Sequence, residues 1–136
     1  MTSTWGRVEP LDEAESMRML GSVRWGRCAW SASDGPHILP VNYSVLDGNV
    51  YYRTGLYGSL AEAAAGDAVA LEADELDERL TSGWSVVVRG RAEQVQDPGE
   101  LASLFQRLPQ PWAPGSRPLL VRILVSQVTG RRFLKK

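Results

Sequence analysis

SGWSVVVRGRAEQV, residues 82–95, is the stretch on which the fold turns. In an extended chain Trp84, Val86, Val88, Gly90 and Ala92 share one face, and Ser85, Val87, Arg89, Arg91 and Glu93 share the other. That alternation marks a strand with one buried face. Two departures stand out. The strand opens on Trp84 beside a serine, and Gly90 sits between two arginines. A mid-strand glycine signals a bulge or a close backbone approach. The question is whether the close neighbour is protein or something bound.

Outward from this strand the chain shows the same period repeatedly. WGRCAWSA and HILPVNYSVL (25–32 and 37–46) flank a turn at Asp34-Gly35, and LDGN (46–49) turns the chain again into VYYRT. AVALEA (68–73) is a further strand, and the acidic DELDERLTS after it reads as a solvated turn. LLVRILVSQVTGRRFL (119–134) is the last strand, bent or broken near Ser126. Helices are expected at 10–20, where Gly21 stops the periodicity, and after Asp97-Pro98, with Leu101, Leu104, Phe105 and Leu108 as a stripe. A short one is expected at 58–66, capped by Ser59 and ended by Gly66. About six strands in meander order with short flanking helices predict a mainly β, antiparallel barrel.

Composition bounds the function. The 136 residues predict one domain over 1–136, with flexible ends at 1–9 and 133–136. A formal net charge of −1 argues against nucleic acid as a partner, which calls for a basic stripe. One cysteine and one histidine rule out an internal disulfide and argue against a Cys/His zinc site. Glu72, Asp74, Glu75, Asp77 and Glu78 match no calcium loop and read as a solvated acidic turn. There is no apolar leader and no apolar run long enough to span a membrane, so a cytoplasmic location is expected.

Catalytic sets are sparse. His37, beside Pro36, reads as a surface or packing residue, and Cys28, in mid-strand, as a small core residue. Any reactivity is therefore expected to be borne by a cofactor, with the protein supplying orientation and electrostatics. YYRTGLYGSLAEAAAG (51–66) offers a place to hold one. A strand ends in Arg53-Thr54, two glycines follow, and Ser59 opens a helix, so backbone N–H groups, a hydroxyl and a guanidinium converge. Phosphate binding and an ordinary strand–turn–helix both remain open from spacing alone.

GPHILPVNYSVLDGNVYYRT, VALEADELDERLTSGWSVVVRGRAE and VTGRR, in this order, resemble the pyridoxamine 5′-phosphate oxidase-like flavoproteins, from about Leu11 to Arg132. The resemblance implies a six-stranded split β-barrel that forms a homodimer, with FMN in grooves at the subunit interface. It implies that Pro40, Val41 and Asn42 lie along the flavin, largely by backbone contacts, and that Tyr52, Arg53 and Thr54 lie at the phosphate end. Ser85 is expected to reach the cofactor and Trp84 to border the pocket. Many members carry a lysine in a pattern like RTxxGxKL where this chain has RTGLYGSL, so Ser59 replaces a positive charge. The expected function is flavin-dependent hydride or electron transfer to an unidentified small molecule. The alternatives are weak FMN binding, a deazaflavin, a non-catalytic flavin or haem storage module, or a structural dimer with an empty groove.

Overall fold

Every alternating stretch of the sequence enters one antiparallel sheet. The computed structural model describes residues 5–55, 58–77, 79, 82–109 and 119–135. In chain order these form β1 (Trp5–Leu11), α1 (Glu13–Leu20), β2 (Trp25–Ala32), β3 (Gly35–Leu46) and β4 (Asn49–Thr54). Then come α2 (Ser59–Ala63), β5 (Ala65–Leu76), β6 (Ser82–Gln94), α3 (Pro98–Arg107) and β7 (Leu119–Lys135). The strands neighbour one another in the order β1-β7-β4-β3-β2-β5-β6, and β6 pairs with β7 as well. Six strands therefore close into a ring, as a split barrel requires, and β1 lies outside it. Closure removes most free edges.

β1 was not expected. Trp5–Glu9 and Phe133–Lys135, read from the sequence as flexible ends, belong to one ladder in which Arg7 faces Leu134 and Glu9 faces Arg132. The acidic half of DELDERLTS is likewise strand. β5 runs on to Leu76, with Asp74 opposite Ser85 and Glu75 opposite Trp84. Pro10 and Leu11, placed in a helix by the sequence reading, end β1 instead.

The barrel core follows the period-2 pattern. Cys28, Val50, Leu71, Val86, Val88, Val121 and Ile123 are all fully buried. α1 sits at one end of the barrel. Asp12 caps it, accepting the Glu15 N–H at 2.8 Å, and the Tyr43 hydroxyl donates to the Leu20 carbonyl at 2.6 Å. The buried Ser16 of α1 crosses β7 at Gly130, where a Cβ would lie 2.3 Å from Ser16 Oγ. This contact explains the glycine of VTGRR. α3, capped by Asp97 with Pro98 at its first position, packs its predicted stripe on Tyr51 and Leu120, on the outside of β4 and β7.

Gly90 now has an explanation. Arg89 pairs with Gln127 and Gly90 with Val125, so Ser126 is an extra residue in β7, a bulge. A Cβ on Gly90 would lie 2.0 Å from the Leu124 carbonyl oxygen. Ser126 Oγ donates to the Arg89 carbonyl at 3.1 Å. The close neighbour is the protein's own backbone, and the sequence signals at Gly90 and Ser126 are one feature.

Candidate functional site

β3 and β4 begin as an ordinary hairpin. Asp47 and Gly48 take the positive φ values, 52° and 79°, that its two-residue turn needs. The ladder runs from Leu46–Asn49 to Tyr43–Tyr52 and stops. One further step would put Asn42 opposite Arg53. Instead the strands part there: β3 stays with β2 through residue 35, and β4 stays with β7 through Thr54. The barrel is split between these two prongs.

The backbone at the split can be worked out from one hydrogen bond. Tyr43 N–H donates to the Arg24 carbonyl at 2.9 Å, on the β2 side. Antiparallel alternation then turns residues 37, 39 and 41 to β2 as well, and 36, 38, 40 and 42 toward the split. Among the described residues no strand pairs with that edge. Pro36 and Pro40 both fall on it, so neither proline costs a ladder bond. The carbonyls of Pro40 and Asn42 and the N–H of Asn42 face the gap. From the other prong, by the same alternation, so does the backbone of Arg53.

Side chains divide by parity. Val41, Tyr52 and Thr54 point into the barrel and are buried, so they can offer the split only their backbones. Pro40, Asn42 and Arg53 point outward. Asn42 Nδ2 donates to the Arg24 carbonyl at 3.1 Å, and the Arg53 guanidinium lies 4.8 Å from the centre of the Phe105 ring. Leu108 and Pro109, after α3, complete a cleft with Asn42, Tyr51, Arg53 and Leu120. The sequence reading saw the α3 stripe but not that Leu108 would wall this cleft. Its enclosed volume within one chain is about 10 Å³, room for a single water, whereas a cofactor site takes ~300–1,000 Å³.

Other expected site residues lie elsewhere. Ser59 is the first residue of α2, but the cap is Gly58, whose φ of 113° suits glycine; the Ser59 side chain lies outside the described residues. Trp84 is buried at the β5–β6 end, and Ser85 points outward opposite Asp74 and Arg131. Following the register through β2 and β5, Ser85 stands three strands from Asn42, about 14 Å. A single chain does not bring them together.

The titratable groups fill structural roles. His37 stacks on Trp30, ring centres 5.4 Å apart, and meets Asp34 at 2.7 Å, which holds the Asp34 carboxyl below its ordinary range. Burial pushes the Cys28 thiol up to about 11 and the neighbouring Tyr52 phenol well above its usual value, so both are protonated at neutral pH. Arg122 sits between Glu93 and Glu100, which together raise its pKa further. Arg27 bridges Glu72 at 2.8 Å and Asp74 at 3.3 Å on the outer face. Among the described residues no group of His, Cys, Asp and Glu is arranged to hold a metal ion, and no helix is long and apolar enough to cross a membrane.

Comparison with known proteins extends this picture. The chain is 43% identical over 132 residues to the uncharacterized Mycobacterium tuberculosis protein Rv0080, covering 93% of this chain and 86% of that one. A FAD-binding protein from Mycobacterium smegmatis superposes with a TM-score of 0.80 at 36% identity, covering 93% of this chain and 98% of that one. A FAD-binding protein from Mesorhizobium loti does so with a TM-score of 0.78 at 27% identity, over 95% and 98%. The sequence profile of the pyridoxamine 5′-phosphate oxidase family matches residues 12–132, which takes in both prongs of the split and the bulged β6–β7 ladder. Together with a barrel opened between Asn42 and Arg53, these matches place the chain in the pyridoxamine 5′-phosphate oxidase family, among flavin-binding split-barrel proteins.

Proposed function

We propose that the chain binds a flavin mononucleotide at the split, with a second copy completing the site, and uses it for hydride or electron transfer. The observation that carries this reading is the end of the β3–β4 ladder at Tyr43–Tyr52. It leaves carbonyls and an N–H of Pro40–Asn42 aimed at a gap, and these can pair with the alternating acceptors and donor on the pyrimidine edge of an isoalloxazine. The residues fit such a ring: the Asn42 carboxamide is anchored on Arg24, and Phe105 steadies the Arg53 guanidinium on the outer side. When bound, the flavin supplies the redox chemistry. The chain would orient the ring along β3 and set Arg53 against the phosphate. Because the cleft of one chain is far too small, closure by a second copy belongs to the proposal.

The FAD-binding relatives make the length of the nucleotide tail a real alternative. Titration with riboflavin, FMN and FAD, followed by flavin fluorescence, separates them. FMN should bind more tightly than riboflavin. Arg53→Ala should weaken FMN by ~10- to 150-fold, the worth of one charge-assisted contact of ~1.5–3 kcal/mol, and leave riboflavin unchanged. Equal FMN affinity before and after the substitution refutes the phosphate assignment. Bleaching of the bound flavin by a reduced nicotinamide tests the transfer itself.

A further inference from the structure

Two arginines project from the outer face at diagonal corners of the β4–β7 ladder. Arg53 stands opposite Leu120 and Arg122 opposite Tyr51, so the roots of the two side chains lie ~7–8 Å apart. α3 crosses this block and treats the two charges differently. Its stripe covers the apolar corners, with Leu104 and Phe105 packed against Tyr51 and Leu120. Its first turn sends Glu100 to Arg122, which also takes Glu93 of β6 at 2.7 Å, so that guanidinium is matched by two carboxylates. Its second turn sends the Phe105 ring to Arg53, 4.8 Å from ring centre to guanidinium. Beyond Phe105, Arg107 meets Asp47 of the β3–β4 turn at 3.1 Å.

A carboxylate holds a guanidinium by cancelling its charge. An aromatic ring holds it by the face, keeps the charge and engages none of the in-plane N–H donors. For packing alone an aliphatic residue would serve at position 105, as Leu101, Leu104 and Leu108 do along the same stripe. The one ring of the stripe falls where the guanidinium at the split is. α3 thus neutralises the arginine that lies away from the split and orients the one that borders it. Glu100 before Phe105 and Arg107 after it fasten the helix on both sides of that contact.

We infer that Phe105, and Glu100 and Arg122 through the docking of α3, are positioning residues for Arg53, so that the seating of α3 on the barrel sets the affinity for the anionic tail of the bound molecule. The inference rests on the proposed placement of the phosphate at Arg53 and adds a coupling that the placement does not contain. Such coupling is reciprocal: whatever α3 adds to phosphate affinity, the phosphate returns to the docking of α3. Riboflavin, with the same ring and no phosphate, takes part in neither.

Titration of the whole chain with FMN and riboflavin tests it, together with amide hydrogen exchange across α3. Phe105→Leu keeps the stripe apolar and removes the ring. It should weaken FMN by ~3- to 30-fold, the worth of a cation–π contact, and riboflavin by less than ~2-fold. Phe105→Tyr should restore FMN affinity, and in an Arg53→Ala background Phe105→Leu should change nothing further. Glu100→Gln removes a negative charge, so electrostatics alone would tighten FMN, whereas loosened docking of α3 should weaken it. Saturating FMN should slow exchange of the Leu104–Leu108 amides, and saturating riboflavin should not. Unchanged far-UV circular dichroism shows that a variant is folded, and Glu100→Gln with the exchange readout decides the matter if Phe105→Leu does not fold. Equal losses for FMN and riboflavin, a loss that persists without Arg53, or tighter FMN binding by Glu100→Gln overturns the inference and leaves the phosphate assignment standing. FMN affinity unmoved by Arg53→Ala overturns the phosphate assignment itself, and this inference with it.

Discussion

Gly90→Ala tests the reading of the bulge. A methyl group there would lie 2.0 Å from the Leu124 carbonyl oxygen, 2.8 Å from its carbon and 3.2 Å from Ile123 Cγ2. To reach ordinary contact of about 3.4 Å the β7 backbone must retreat by more than 1 Å. It cannot do so without disturbing the β6–β7 ladder on both sides of Ser126. Overpacking strain plus one or two weakened backbone bonds gives a loss of ~3–5 kcal/mol. That is a large part of a domain stability on the order of 5–15 kcal/mol, and would lower Tm by ~10–20 °C. Urea unfolding followed by tryptophan fluorescence measures it, with Gly99→Ala as the control. Gly99 lies in the first turn of α3 with only an ordinary contact of 3.5 Å to Asp97, so the same substitution there should stabilise by ~0.5–1 kcal/mol. A Gly90→Ala protein within ~0.5 kcal/mol of wild type, yet weaker in flavin binding, would refute the argument. It would mean that Gly90 leaves room for a ligand rather than for β7.

Two further outcomes follow from the interior and the outer face. Tyr43→Phe removes the hydroxyl that satisfies the last carbonyl of α1 and should cost ~1–2 kcal/mol, read as a lower urea midpoint with unchanged slope. A value near zero would place a water in that role. Burial, with Asp74 close by, lifts the Glu72 carboxyl from 4.5 to about 6 despite Arg27. A raised folded pKa means that its stabilising contribution is complete below pH 4.5 and fades as pH climbs through 6. The difference in stability between wild type and Glu72→Gln should therefore shift against wild type across that window, by less than the full pKa shift implies because solvent reaches the carboxylate. Parallel pH profiles would refute it.

The parts of the fold that could be seen in the sequence are those where burial and local geometry agree. Asp12 and Asp97 cap helices as their positions suggest, Asp47-Gly48 makes the only kind of turn it can, and β6 alternates as its residues do. β1 was hidden because it is a half-exposed edge: Arg7, Val8 and Glu9 show no buried face, and their partners lie more than 120 residues away. β5 was cut short because Glu72, Asp74 and Glu75 were weighed as charge, although Leu71 and Ala73 keep the period between them. At the site, the sequence and its resemblance pointed to both prongs, residues 40–42 and 52–54, but not to which of those side chains face outward. That follows from parity against Arg24, a contact no local pattern reveals. Within one chain Trp84 and Ser85 stand on β6, across the barrel from the split, a separation that strand alternation alone does not show.

Cys28 is the chain's only thiol, fully buried, held protonated, and set one strand in from the open edge of β3. It is thus a built-in reporter. An added disulfide reagent can reach it only while the barrel breathes, so the rate of its labelling, followed with and without flavin, reads directly how far an occupant of the cleft holds the two prongs shut.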